Sequence, residues 1–192
     1  MDDSAQLRAI EQTFSELFGT QYQTRLIGGA DEPFYRAAAT SQECHLLYYR
    51  GDYPASALHE IAHWCIAGEQ RRQLDDFGYW YEPGERSAER QRQFETAEVA
   101  PQALEWLFSR ACGRCFQLSV DNFALDNRPP TYFAKAVFHQ LQEWLASKTL
   151  PKRGALFADN LAKQMLPAGQ VQRLMDSCAY TLQDLLVEEC VA

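Results

Sequence analysis

The chain lacks any long apolar run. None approaches the roughly 18 residues that span a bilayer, so a membrane-crossing helix is excluded at the level of sequence. It also lacks basic excess: Lys and Arg number 18 against 26 Asp and Glu, for a net charge of −8 and a pI near 5.0. A nucleic-acid surface needs a positive patch, and that class is set aside. Six cysteines in 192 residues are too few for a disulfide scaffold. The first residues, Met1-Asp2-Asp3-Ser4, have no apolar core and do not read as a secretory signal. The expected location is cytoplasmic, with the cysteines reduced. Repeats and low-complexity segments are also lacking.

What is present is ordinary globular material, 46% hydrophobic and 23% charged. At 192 residues it fits one domain, residues 1–192, with a sizeable core. Leu7, Ile10, Phe14, Leu17 and Phe18 recur at helical spacing between a Ser4 cap and a Gly19 stop. Strand character follows near Thr24–Ile27 and again over Cys44–Tyr49. A helix over Ala55–Ala67 comes next, then an aromatic loop through Phe77-Gly78-Tyr79-Trp80-Tyr81. Helical patterning covers Ser87–Arg110 with a break expected at Pro101, where a second helix would open. Phe116–Val120 reads as a strand, and Tyr132–Ser147, Ala155–Leu166 and Gln170–Val187 as helices. The fold class expected is α+β, mostly helical with a small sheet.

Only four histidines occur, and two of them stand in His59-Glu60-Ile61-Ala62-His63. Residues four apart share a helix face, so both imidazoles can point at one ion with Glu60 beside them. A third ligand is needed. Phe94-Glu95-Thr96-Ala97-Glu98-Val99 offers two carboxylates, and spacing does not choose between Glu95 and Glu98. Glu60 reads in three ways: a general base for a zinc-held water, a group that steers a ligand or substrate amine, or a structural partner. Two histidines and one carboxylate also form the facial triad of non-haem iron(II) oxygenases, so the motif leaves zinc hydrolysis and iron oxidation open.

The remaining candidates are weaker. Cys112-Gly113-Arg114-Cys115 is a single CxxC, read as two small buried residues at a helix end. His45 reads as a structural histidine and His139 as a helix-surface residue. Trp64, Tyr79, Trp80 and Tyr81 suit either a pocket wall or the core. Asp52, Asp75, Asp76 and Glu82 flank the predicted site and are expected to form an acidic mouth.

The run Ser56-Ala57-Leu58-His59-Glu60-Ile61-Ala62-His63-Trp64-Cys65-Ile66-Ala67-Gly68 resembles the signature of the elongation factor P hydroxylase family. The resemblance continues through Arg71-Arg72, Phe77 to Tyr81, Phe94 to Trp106, and Ser119-Val120-Asp121-Asn122. It implies a zinc-metalloprotease-like (zincin-like) α+β fold and a bacterial cytoplasmic enzyme. The implied reaction is hydroxylation of the lysine of elongation factor P that already carries a β-lysyl group. It further implies metal ligation by His59, His63 and, by position in the second motif, Glu98. The expected cofactor is a divalent metal ion, Fe(II), which zinc can displace during purification. The residues identify no organic cosubstrate. Two rivals remain at this stage: a zinc peptidase with Glu60 as base, and a binding module that keeps a metal for structure.

Overall fold

A computed structural model of the chain describes residues 2–76, 87–120 and 129–186. Its order is α1 (Asp3–Phe14), β1 (Thr24–Ala30), β2 (Phe34–Arg36), β3 (His45–Arg50), α2 (Pro54–Ile66), α3 (Ala88–Ala111), α4 (Thr131–Ser147), α5 (Lys152–Met165) and α6 (Ala168–Arg173). This is the expected α+β class. None of its helices among the described residues is long and apolar enough to cross a membrane.

The sheet is small, with strand order β1-β3-β2. β1 runs parallel to β3, Leu26 facing Leu47, and β2 runs antiparallel to it, Tyr35 facing Leu47. Central β3 buries Leu46, Leu47 and Tyr49, as a strand covered on its faces must. β2 is the strand that turn-rich Gly28–Pro33 concealed. Its outer edge is blunted by a single bridge in which Tyr35 and Asp76 exchange backbone bonds of 2.8 and 2.9 Å.

α2 begins with Pro54 in its first turn, where the missing N–H costs nothing. Leu58, Ile61, Ala62 and Cys65 repeat at i, i+3, i+4, i+7 and are buried, so the opposite face carries His59, Glu60 and His63 half-buried. Its C-terminal end lacks a left-handed glycine cap. Instead Arg153 of α5 donates through Nη2 to the carbonyls of Trp64 (3.1 Å), Cys65 (3.1 Å) and Ala67 (2.5 Å). Arg72 Nη1 adds a bond of 2.6 Å to Ala67. Two cations at this end also suit the negative pole of the helix.

α3 is the spine of the molecule and packs against α2, α4 and α5. It runs unbroken through Pro101, contrary to the expected division. Pro101 removes only the bond its N–H would give the Ala97 carbonyl. Burial of the turns that follow, from Gln102 to Ser109, holds the helix across the gap.

Two further expectations fail for identifiable reasons. Phe116–Val120 joins no sheet, although Phe116, Leu118 and Val120 alternate inward as in a strand. Its backbone is satisfied by side chains of α3: the Gln102 amide clasps Ser119 through Nε2 to the carbonyl (2.7 Å) and Oε1 from the N–H (3.1 Å). Gln91 Nε2 donates to the Val120 carbonyl at 3.1 Å. The long last helix ends early at Arg173, and 3₁₀ turns follow at Ser177–Ala179 and Leu182–Leu185. Asp176 and Thr181 cap those turns with their side chains, offering the backbone a local alternative to helix.

Cys112 is a buried free thiol at the end of α3, whereas Cys115 is exposed and disulfide-bonded. The pair is therefore not two buried small residues. Asp2, not Ser4, caps α1.

Candidate metal centre

His59 and His63 project from the outer face of α2 toward a buried face of α3. That face is a stripe of polar residues, Gln91, Glu95, Glu98, Gln102, Glu105 and Ser109, each under 9% exposed. Their spacing alternates four and three, the period that keeps residues on one side of a helix. Buried polar groups persist only when matched, so each must have partners.

Glu98 finds the two imidazoles. Its Oε1 lies 3.1 Å from His63 Nε2 and its Oε2 lies 3.6 Å from His59 Nε2. The two Nε2 atoms are 3.1 Å apart. Ligand atoms held about 2.1 Å from one ion lie roughly 3 Å from each other, so these separations suit a shared metal. The two histidines and Glu98 form a possible metal-binding group. Gln102 Nε2 steadies Glu98 Oε2 at 3.3 Å while it clasps Ser119.

Glu95, one turn earlier, is equally buried but is engaged elsewhere. It accepts from Gln91 Nε2 at 3.1 Å and from the Tyr132 hydroxyl. The structure thus brings Glu98, and not Glu95, to the histidines.

Charge shapes the cluster. Burial acts to lower the His59 pKa, but the carboxylates of Glu105 and Glu98 outweigh it and raise it to about 10. Burial acts to raise Glu98, and His59 and His63 more than offset it, lowering the group to about 2. Glu60 is shifted upward, chiefly by burial.

Beside the cluster lies a cavity of about 280 Å³. Glu60 and His63 stand in one wall, with Tyr35, Trp64, Arg71, Arg72 and Asp76 among the others. Ala97, Ala100 and Pro101 bring the weakened turn of α3 to its edge.

The expected acidic mouth is corrected here. Of its three described residues only Asp76 lines the cavity, and its carboxylate is held by Arg71 at 2.5 and 2.8 Å. Asp75 accepts from the Ala37 N–H at 2.8 Å, Asp52 is not among the lining residues, and Glu82 lies outside the described residues. Arg71 and Arg72 line the same cavity. Trp64 serves both roles open to it, 3% exposed in the core and lining the cavity. Tyr79, Trp80 and Tyr81 lie outside the described residues. His45 is structural, accepting from the Ala38 N–H at 3.0 Å and stacked on Tyr35, and His139 is exposed.

Glu105 and Gln102 were missed in the sequence. Glu105 Oε2 lies 2.8 Å from His59 Nδ1, on the ring edge opposite Glu98. The available signal was its spacing, seven residues or two turns beyond Glu98 on one helix.

An α+β chain that gathers two imidazoles, a buried carboxylate and an adjoining cavity falls in the class of candidate metalloenzymes. The sequence profile described as elongation factor P hydroxylase matches residues 13–173. The chain is also 44% identical over 160 residues to the elongation factor P lysine hydroxylase of Haemophilus influenzae, covering 83% of this chain and 87% of that one. This chain belongs to the elongation factor P hydroxylase family, and it is an enzyme. The zinc-peptidase alternative has no support from either comparison.

Proposed function

We propose that the chain hydroxylates the β-lysylated lysine of elongation factor P, using an iron(II) ion held by His59, His63 and Glu98. The observation that supports this most is the meeting of both Nε2 atoms with Glu98 beside the cavity, in a chain of this family. Iron(II) bound there would supply the redox chemistry that a C–H hydroxylation by dioxygen requires. One oxygen atom enters the C–H bond, and the other leaves as water with two electrons from an external reductant and two protons from solvent.

The protein's own residues do the rest. Gln102 holds Glu98 in place. The cavity receives the modified side chain along the apolar wall formed by Leu47, Ile66, Ala97, Ala100 and Pro101. Glu60, in the cavity wall next to His63, is the catalytic residue that receives a substrate amine and orients the chain. Residues 1–192 act as one metal-dependent hydroxylase domain with a zincin-like core, in the cytoplasm.

The test is the mass of purified, β-lysylated elongation factor P after aerobic incubation with this protein, iron(II) and a reductant. The expected outcome is a gain of one oxygen, about 16 Da, that disappears in His59→Ala. Cleavage of the factor instead, or no gain under any reductant, would overturn the reading.

A further inference from the structure

We propose that Glu105 is a positioning residue for the metal centre, setting the tautomer and the ring plane of His59; this rests on the metal reading above. His59 is clasped from both edges by one helix. Glu98 stands at its Nε2 edge, 3.6 Å away, and Glu105 at its Nδ1 edge, 2.8 Å away. The backbones of the two residues are two turns apart on α3, about 10.5 Å along the axis at 1.5 Å per residue, and their side chains converge on the two edges of the one ring.

The bond has a direct chemical consequence. A carboxylate at Nδ1 accepts a hydrogen bond from the N–H there, which keeps the proton on Nδ1 and leaves the Nε2 lone pair for a metal. It also stops the ring from turning about its Cβ–Cγ bond, which would exchange the carbon and nitrogen edges. Glu105 is 8% exposed, and among the described residues its hydrogen-bond partner is His59. A carboxylate is costly to bury, and a role confined to packing would be served better by an apolar residue of similar size.

Glu98 has a corresponding support in Gln102, which bonds Oε2 at 3.3 Å and is itself fixed by the Ser119 backbone. His63 has no such side-chain support among the bonds described.

The experiment is zinc affinity, by competition with a chromophoric chelator, for wild type, Glu105→Ala, Glu105→Gln and Glu95→Gln. Glu105→Ala should bind zinc about 10- to 100-fold more weakly than wild type. Glu105→Gln keeps an acceptor at the same place and should lose less. Glu95→Gln alters an equally buried carboxylate of the same helix and should leave affinity unchanged. Equal weakening in Glu95→Gln and Glu105→Ala would show a general effect of helix damage and overturn the inference. Wild-type affinity in Glu105→Ala would overturn it too, while leaving the metal reading intact. A wild-type chain that binds no zinc would instead overturn the metal reading itself.

Should Glu105→Ala fail to fold, the isosteric Glu105→Gln decides the matter in the cobalt(II)-loaded proteins. A paramagnetically shifted, slowly exchanging His59 Nδ1–H resonance is expected in wild type, with faster exchange in the glutamine variant. Identical exchange in both would overturn the inference.

Discussion

Two stripes of α3 make opposite demands on the protein. On one, Ala103, Leu104, Leu107, Phe108 and Ala111 are removed from water with nothing to match but shape. On the other, Gln91, Glu95, Glu98, Gln102 and Glu105 are as deeply buried, and each must meet a specific partner. The first stripe stabilises by area and tolerates exchange of similar volumes. The second stabilises only when complete, and its members differ in kind although burial looks alike. Glu95 and Glu98 show this most plainly: one turn apart, the former is closed off by neutral donors, and the latter is turned toward two imidazoles.

The largest departure between the stripes is expected on activity. Glu98→Ala should abolish both metal binding and hydroxylation in a chain that remains folded, measured by zinc titration and product mass. Retained activity would merge Glu98 with Glu95 and erase the distinction. Next, Leu104→Ala on the apolar stripe should cost about 2–5 kcal/mol in denaturant unfolding. It should leave the zinc affinity of the folded fraction unaltered, and a matching loss of affinity would show that the stripes are coupled. Gln102→Ala is expected to cost about 1–3 kcal/mol, because both polar groups of the Ser119 backbone lose their partner. Glu95→Gln should cost about 1 kcal/mol or less, since the amide still accepts from one neighbour.

A change of pH sharpens the comparison further. His59 has its pKa raised from 6.5 to about 10, so its contribution to metal-free stability is full below 6.5 and is lost as pH rises through 10. Glu98 is lowered from 4.5 to about 2, so its contribution is present above 4.5 and is lost as pH falls through 2. The metal-free chain should therefore weaken on the alkaline side, while metal, which must displace the His59 proton, binds more tightly there. Zinc titration in buffers of different ionisation enthalpy should register the released proton. Binding without proton release would mean that His59 is already neutral.

Legibility in the sequence followed the same division. The apolar face of α2 and the two histidines four apart were readable because periodicity and residue type agree there. Glu105 was not, because a glutamate on a helix ordinarily faces water, and only its two-turn distance from Glu98 marked it. The inward alternation of Phe116, Leu118 and Val120 is real, but it reads as a strand, and the segment joins no sheet. Its hydrogen-bond partners were not legible, since sequence patterns do not distinguish a neighbouring strand from a row of glutamines. Pro101 misled for the complementary reason: local chemistry argues for a break, and long-range packing overrules it.

The closure of α2 by Arg153 places a condition on the order in which the protein becomes competent. Every residue proposed to hold the metal precedes Arg153 in the chain, by 55 to 94 positions. The guanidinium that ties off the helix bearing His59 and His63 reaches back 86 residues to Ala67. During synthesis the ligands therefore emerge first, on a helix whose last carbonyls are still open to water. The Arg153 bonds that close the helix can form only once α5 has been made, so a chain halted before Arg153 carries the whole metal motif without them.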